Sequence, residues 1–566
     1  MTIGRIGNHG CVTAMTCAAL LALAACGDNH YPDGVPLAPA SNLTIIAHED
    51  DDLLFLQPDL DDAALGGAGV TNVYVTAGDG GRGYGKAEER YLGLQAAYSH
   101  LLGDLDWVCG WIERDGHRLE HCRLEAERFS LVFVEYPDGG RRADIAHGML
   151  QLWHGDVTEA TTVGRRTSTY DRSQLIALLA HIIDDTAPAT LRTLDLAATH
   201  GDHDYADHPD HELAGAVALV ATAASTRAPE LIAYRGYTID REPVNASPAV
   251  LARSLDRLGY YEACDTGCAP CDRACPVASI QDSHVTYQAR RYAIGMRRAD
   301  HGQLRQGDRC LDAAEQPALG DCATAPVWQL DARGALRAST GSCLAVEANG
   351  AVITGACDDA LPGSRWFFDD EGHLWSGLPP RPEDVTVSAH LWCLAADSDR
   401  PRARICGGTD APRWELVRAT TVAPRDGTPD PPRDPAGWTA DLDGDGQRDA
   451  CSALVEGPAC TLARDGAAAE PAPWGYSFGG RVEGSADDGA ADTRTSVLVD
   501  LDGDGRADLC TARDGVIACA RSLGRSFGPR AVIAQLPAGL VPTVLWTEPD
   551  ARLCAADATT VACTAP

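Results

Sequence analysis

The chain has 566 residues and a mass of 59.7 kDa, too long for one ordinary core and the size of about three or four domains. Hydrophobic residues make up 45% and charged residues 23%, a globular balance that excludes a mostly disordered chain. With 81 acidic against 47 basic residues the net charge is -34, a field that repels a phosphate backbone and excludes nucleic acid as a partner.

At the N-terminus, Arg5 and His9 precede an apolar run from Val12 to Ala25 that is too short to span a bilayer. It ends Leu23-Ala24-Ala25-Cys26-Gly27, which resembles the lipobox of bacterial lipoproteins. That resemblance implies a signal peptide over 1–25, a lipidated Cys26 and a tether over 26–41. The chain is then exported and anchored to a membrane of the bacterial cell envelope. An ordinary secretory signal cleaved nearby is the alternative. Export accounts for the 21 cysteines, which a reducing cytosol would leave as free thiols. Loss of Cys11 and Cys17 and blocking of Cys26 leave 18, an even number.

Residues 42–298 alternate strand and helix patterns. Leu43–Ile46, Val70–Thr76, Leu131–Tyr136 and Leu194–Ala198 are short apolar runs of the kind buried in parallel sheets. Helical patterns cover Lys86–Leu102 and Ser173–Asp184, and another starts at Glu212. The fold class is a layered, Rossmann-like α/β domain, whose ligands bind beyond the carboxyl ends of the strands. Two His/Asp clusters stand at such ends. The first is Ala47-His48-Glu49-Asp50-Asp51-Asp52, and the second runs from His200 through Asp202, His203, Asp204 and Asp207 to His208-Pro209-Asp210-His211. Imidazole and carboxylate donors without cysteine suit zinc, with one further carboxylate available as a base. Two solvated acidic loops are the bland alternative. Asp50 and Asp51 would point apart if the segment is extended.

These clusters resemble the Ala-His-Pro-Asp-Asp-Glu and His-Pro-Asp-His signatures of the LmbE/PIG-L family, zinc-dependent deacetylases of N-acetylglucosamine-containing molecules. Val73–Gly80, Arg90–Tyr98 and Tyr136-Pro137-Asp138-Gly139 also fit that family. The resemblance implies one catalytic zinc on His48, Asp51 and His211, Asp50 as general base, and His208 as acid and oxyanion partner. Glu49 stands where the family has proline and Asp52 where it has glutamate, which predicts an altered loop but no lost metal. His200 and His203 are assigned structural or ligand-orienting roles, which Asp202, Asp204 and Asp207 could share. Arg90 is a weak candidate for substrate contact, an ion pair on its helix being the simpler reading. Cys264, Cys268, Cys271 and Cys275 read as two local disulfides of open pairing.

Over 300–419 the texture changes to short strands and cysteines. Three units begin Cys310-Leu311, Cys343-Leu344 and Cys393-Leu394, continue to Cys322, Cys357 and Cys406, and end near Trp328, Trp366 and Trp414. They resemble the ricin-type β-trefoil lectins, which implies disulfides Cys310–Cys322, Cys343–Cys357 and Cys393–Cys406. The lectin's sugar-contacting aspartate is matched by Asp312 and not by Ala345 or Ala395, so at most the first repeat binds sugar. The tryptophans are assigned to the core.

Residues 420–436 form a proline-rich linker. In 437–566, Asp441-Leu-Asp443-Gly-Asp445-Gly-Gln-Arg-Asp449 recurs as Asp500-Leu-Asp502-Gly-Asp504-Gly-Arg-Ala-Asp508, each followed by a cysteine pair. A third pair, Cys554 and Cys563, lacks the acidic loop. An EF-hand would need a glutamate where Ser452 and Thr511 stand; the loops resemble FG-GAP/integrin-type repeats. The reading is a small all-β tail with two structural calcium ions, one per loop, and open packing. Disulfides Cys451–Cys460, Cys510–Cys519 and Cys554–Cys563 staple its hairpins.

Taken together, these features define an exported metal-dependent amidohydrolase that removes N-acetyl groups from amino sugars or glycans, with the trefoil as a targeting module. The alternative is a surface carbohydrate-binding protein whose α/β domain is an inactive scaffold. Physiological substrate, protein partners and oligomeric state are not encoded in any recognisable motif.

Overall fold

The computed structural model describes residues 37–103, 106–124, 128–140, 148–196, 207–358, 362–385, 390–396, 399–407, 411–418, 420–422, 438–454, 457–465, 472–474, 477–478, 481–482, 495–528, 530–548 and 552–564. The signal sequence, Cys26, and His200, Asp202, His203 and Asp204 lie outside them. No helix of the described residues is long and apolar enough to cross a membrane.

The first part folds in the order β1 (Asn42–Ile46), α1 (Asp51–Phe55), α2 (Asp59–Leu65), β2 (Val70–Thr76), α3 (Tyr84–Leu102), β3 (Val108–Arg114), β4 (His117–Leu124) and β5 (Phe129–Tyr136). It continues with α4 (Met149–His154), β6 (Ala160–Thr161), β7 (Thr169–Tyr170), α5 (Arg172–Thr186), β8 (Thr190–Leu194), α6 (Pro209–Ala224), β9 (Glu230–Tyr234), α7 (Pro248–Asp265), α8 (Asp282–Gln288) and β10 (Ala293–Gly295). One sheet runs β10-β9-β8-β1-β2-β5-β4-β3. Its five central strands are parallel, and every residue of β1, β2 and β9 is buried, as expected of strands covered on both faces. Antiparallel β10 closes one edge and the β3–β4 hairpin extends the other.

Two expectations shift. The strand expected at 194–198 is β8, four residues earlier, because Thr190 pairs with both Asn42 and Glu230 and so sets the register. The helix expected from Glu212 starts at Pro209, since His208 accepts the Asp210 amide as its cap and proline suits the first helical position.

Residues 300–418 form short antiparallel strands around a second core. All three expected disulfides are present. Trp328, Trp366 and Trp414 are at most 1% exposed. Each donates Nε1–H to the carbonyl of the leucine after its unit's first cysteine, namely Leu311, Leu344 and Leu394, at 3.2, 2.9 and 2.8 Å. One bond repeated in three units shows why tryptophan recurs there: its ring fills the shared core while its polar edge satisfies a buried carbonyl.

The tail contains three four-stranded sheets. Thr420–Val422, expected to open the linker, is instead a strand that pairs with Val561–Thr564 and completes the third sheet. In each sheet a cysteine pair faces across adjacent strands: Cys451 opposite Cys460, Cys510 opposite Cys519, Cys554 opposite Cys563. All three are disulfides, and Cys109–Cys122 repeats the arrangement in the β3–β4 hairpin. The four clustered cysteines pair as Cys264–Cys271 and Cys268–Cys275.

The three parts are not beads on a string. Phe367, Trp375, Leu391, Cys393, Cys406, Ala411 and Leu523 belong to the same hydrophobic cluster as the α/β sheet. Trp153 donates Nε1–H to the His390 carbonyl (3.1 Å), and the Arg521 guanidinium reaches the Met296 carbonyl (2.9 Å). A side chain at Gly377 would collide with Ala223 of α6, so glycine permits this close approach.

Candidate active site

The carboxyl ends of β1, β5 and β8 bring the chemistry together. His48 follows β1 by two residues, Asp138 follows β5 by two, and Asp207–His211 opens α6 after β8. His48 Nδ1 lies 3.2 Å from His211 Nε2 and 3.5 Å from an Asp51 carboxylate oxygen, while His211 Nε2 is 3.0 Å from the other Asp51 oxygen. All three residues are at most 4% exposed. Two ligands ~2.05 Å from a tetrahedral zinc stand ~3.3 Å apart, which suits the spacing of His48 Nδ1 and His211 Nε2, while their two Asp51 contacts end on different carboxylate oxygens. His48 Nε2 is buried without a hydrogen bond, facing Asp210 at 3.5 Å and Asp138 at 3.9 Å.

Asp207 fixes the ligand geometry. Its Oδ1 accepts from His211 Nδ1 (2.9 Å) and from the amides of His208 (2.7 Å) and Tyr237 (3.0 Å), turning His211 Nε2 toward Asp51. A Cβ at Gly236 would strike this carboxylate and come within 2.7 Å of His211 Nδ1. Gly236→Ala is therefore expected to lower metal affinity and kcat/KM by about 10–100-fold, the usual loss when a ligand's orienting partner moves. Metal titration of the variant checks this.

The expectation of an extended Asp50–Asp51 segment is corrected. Asp51 begins α1 and Asp50 sits at its cap with φ -119° and ψ -14°, because the chain must turn sharply after β1. Asp50 still separates from Asp51 in function: its Oδ2 meets Arg90 Nη2 at 3.3 Å. Arg90 also approaches Asp265 (3.3 Å) and Glu49 (3.7 Å), so it is an interhelical ion-pair hub rather than a free substrate contact. Glu49, in the place of the family's proline, is fully buried against it. Asp52 accepts from Tyr98, Tyr74 (2.8 Å) and Asn72 (3.1 Å) beneath the loop, as an anchor for the turn.

His208 accepts the Asp210 amide at Nδ1 (3.2 Å), so the neutral ring carries its proton on Nε2, which looks toward Asp138 (3.9 Å). Burial, reinforced by His48, lowers its pKa to about 4. Burial also opposes the charge on His211, but Asp51 and Asp207 outweigh it and push this imidazole up to about 10. Asp138, Asp210 and Tyr237 were not expected as site residues. Asp210 accepts from the Gly139 amide (2.8 Å), and Tyr237 packs 4.8 Å from the His211 ring, with Tyr287 behind it at 5.6 Å. The Pro-Asp-Gly that follows β5 was the available signal for Asp138.

Beside the site, Glu135 is 1% exposed at φ 69° and burial lifts its pKa from 4.5 to about 8. The folded state holds this proton where the unfolded state has lost it, so stability falls as pH rises from ~4.5 to ~8. Glu135→Gln should flatten that fall and add about 2–4 kcal/mol at pH 8 and little at pH 4, as read by denaturant melts at both pH values.

The sheet and site together define a layered α/β domain with a buried His/Asp metal-type cluster at its strand ends. Residues 43–222 match the family model PIG-L, described as GlcNAc-PI de-N-acetylase. The 1D-myo-inositol 2-acetamido-2-deoxy-alpha-D-glucopyranoside deacetylase of Nakamurella multipartita is 29% identical over 233 residues, covering 40% of this chain and 72% of that protein. These matches support a deacetylase domain of the PIG-L/LmbE type in the first part of the chain. Among solved structures, a conserved protein of Thermus thermophilus is 18% identical, with a TM-score of 0.24 over 40% of this chain and 81% of its own. The zinc-inhibited form of teicoplanin deacetylase Orf2 gives 18% and 0.24 over 39% and 84%.

Proposed function

We propose that the chain is an exported, lipid-anchored, zinc-dependent amidohydrolase that removes acetyl groups from N-acetylglucosamine-containing sugars or glycoconjugates. The observation that carries this reading is the convergence of His48 Nδ1, His211 Nε2 and Asp51. Those three residues would hold zinc, which supplies an easily deprotonated water and polarises the acetamide carbonyl. Asp50, steadied by Arg90, takes the proton from the attacking water. His208 donates Nε2–H to the carbonyl oxygen as negative charge develops on it. Because the neutral His208 ring has only that one proton, the acid role expected of it passes to Asp50: the carbon–nitrogen bond breaks as the proton collected by Asp50 goes to the nitrogen, giving acetate and a free amine. Tyr237, half-buried beside His211 and backed by Tyr287, offers an aromatic face for the sugar ring. Amine release from N-acetylglucosamine derivatives, abolished by a chelator and restored by zinc, tests the reading. A chain that neither contains nor takes up metal would leave the inactive-scaffold alternative.

The three cysteine–tryptophan units are read as a ricin-type trefoil that holds glycan near the catalytic part. Its one candidate sugar contact, Asp312, already accepts the Ala314 and Ala318 amides (3.2 and 2.9 Å), which leaves its second oxygen for a hydroxyl.

The acidic loops are read as FG-GAP-like calcium sites. Both have one design. Asp441 and Asp500 accept the amides of Gly444 and Gly446, and of Gly503 and Gly505, while Asp449 and Asp508 accept those of Leu442 and Leu501. All four glycines have positive φ, which the tight turns require. Carboxylates converge as Asp441, Asp443 and Asp449, and as Asp500, Asp502 and Asp504; Asp445 and Asp508 stand outside these trios. Burial, with added repulsion from Asp449 and Asp445, raises Asp443 to about 6, and a divalent cation would remove that repulsion. Calcium titration of the whole chain should show two sites and raise Tm. The absence of both would mean that Arg464, Arg506 and Arg521, which pair with Asp443, Asp504 and Asp502, already satisfy the loops.

A further inference from the structure

Two pockets lie between the units, both away from His48, at the amino-terminal ends of the parallel strands. The larger has Arg192, Arg464, Arg506 and Arg525 in its wall together with Asp59, Asp62 and Asp443. Three of its arginines have acidic partners, Arg464 and Arg525 with Asp62 and Arg506 with Glu230 and Asp504, and Arg192 bonds the Asn42 side chain (2.6 Å). That wall is an ion-paired seam.

The smaller pocket is different. Arg227, Arg297, Arg298, Arg333 and Arg365 line it, and among the described residues no aspartate or glutamate does. In a chain of net charge -34, five arginines on one pocket lining without a carboxylate are not a chance sample of the surface. Arg297 is held by Asp300 (3.1 Å) and lies over the Phe368 ring (4.2 Å). Arg365, 5% exposed, is aimed by the Ser225 carbonyl (3.0 Å) at the end of α6. Arg298 gives one Nη2–H to the Ala228 carbonyl (2.9 Å), and its Nε is buried with no hydrogen bond. Among the described residues neither Arg298 nor Arg333 has a carboxylate partner. Arg333 is carried by a turn tied to the core, because the Trp366 amide donates to the neighbouring Gly334 carbonyl (2.7 Å).

We propose that this pocket binds a tetrahedral oxyanion, phosphate or sulfate, free or as a monoester, clamped by Arg298, Arg333 and Arg365. Arg297 and Arg227 add to the field. Guanidinium forks match such oxygens two at a time, and the low exposure of Arg365 and the Arg298 Nε strengthens each contact. Because one wall belongs to the α/β part and the other to the cysteine–tryptophan part, the anion would also fasten the two together.

The test is calorimetric titration and thermal melting of the whole chain with inorganic phosphate and with sulfate at low salt. One saturable site and a raised Tm are expected. Arg298→Ala combined with Arg333→Glu should weaken binding at least tenfold and leave deacetylation untouched, because the pocket lies at the end of the strands opposite to His48. Retained deacetylation also certifies that the variant is folded; if it does not fold, Arg333→Glu alone, on an exposed turn, makes the same comparison. Glucose 6-phosphate and vesicles containing phosphatidic acid identify the source: uptake of the sugar phosphate points to a soluble ester, and sedimentation with vesicles points to a headgroup. No heat and no shift with either inorganic anion, or unchanged affinity in the variant, overturns the proposal.

Discussion

Replacing His48 and His211 together by alanine is expected to abolish zinc uptake and to lower kcat/KM for amine release by at least roughly 10³-fold, since one lost oxyanion donor alone costs about 10²–10³. The two rings supply two corners of the converging triangle, and Asp51 by itself cannot retain a catalytic metal. Asp50→Asn should separate metal binding from catalysis. It keeps the three ligand atoms and removes the group that accepts the water's proton, so metal content should stay near that of the parent while kcat falls about 10²–10⁴-fold. Metal analysis beside steady-state rates decides the matter. Full activity in the double variant would sink the mechanism.

The second large effect concerns the junction. Trp375, from the middle part of the chain, is 2% exposed within the hydrophobic cluster of the α/β sheet, and its Nε1–H bonds Asp369 at 2.8 Å. Trp375→Ala should cost about 3–5 kcal/mol, the range for truncating a buried tryptophan. A chain ended after residue 299 should fare worse, leaving α4 and α6 without the Leu391, Phe367 and Trp375 cover and the Trp153 indole without its carbonyl partner. It is expected to aggregate or to melt well below the full chain. A truncated chain that melts where the full chain does would show the shared cluster to be incidental.

The sequence carried the candidate site because the His/Asp clusters are short strings at strand ends: His48, Asp50, Asp51, His208 and His211 are legible there. Repetition made the Cys-Leu…Trp units and the two acidic loops equally legible, since each copy repeats the same local bonds. The β3–β4 hairpin was not legible. β4 reads His-Arg-Leu-Glu-His-Cys-Arg-Leu, with charged residues where a buried strand would show aliphatic ones, yet Glu120 and His121 are buried. The register of β8 escaped for a related reason, because pairing with β1 and β9 outweighed the local apolar pattern of 194–198.

By itself, then, the sequence determined the α/β class of the first part, the ligand candidates, the cysteine–tryptophan and acidic-loop repeats and the disulfide partners within those repeats, all properties of residues close together in the chain. Only the tertiary structure decided that Asp138 and Asp210 face His48, that Asp207 and Gly236 aim His211, that Thr420–Val422 completes the last sheet, and that five arginines meet between two units. Apart from Asp207–His211, those contacts join residues tens to hundreds of positions apart, and they depend on how strand ends align and how the parts of the chain share one boundary, which no local pattern records.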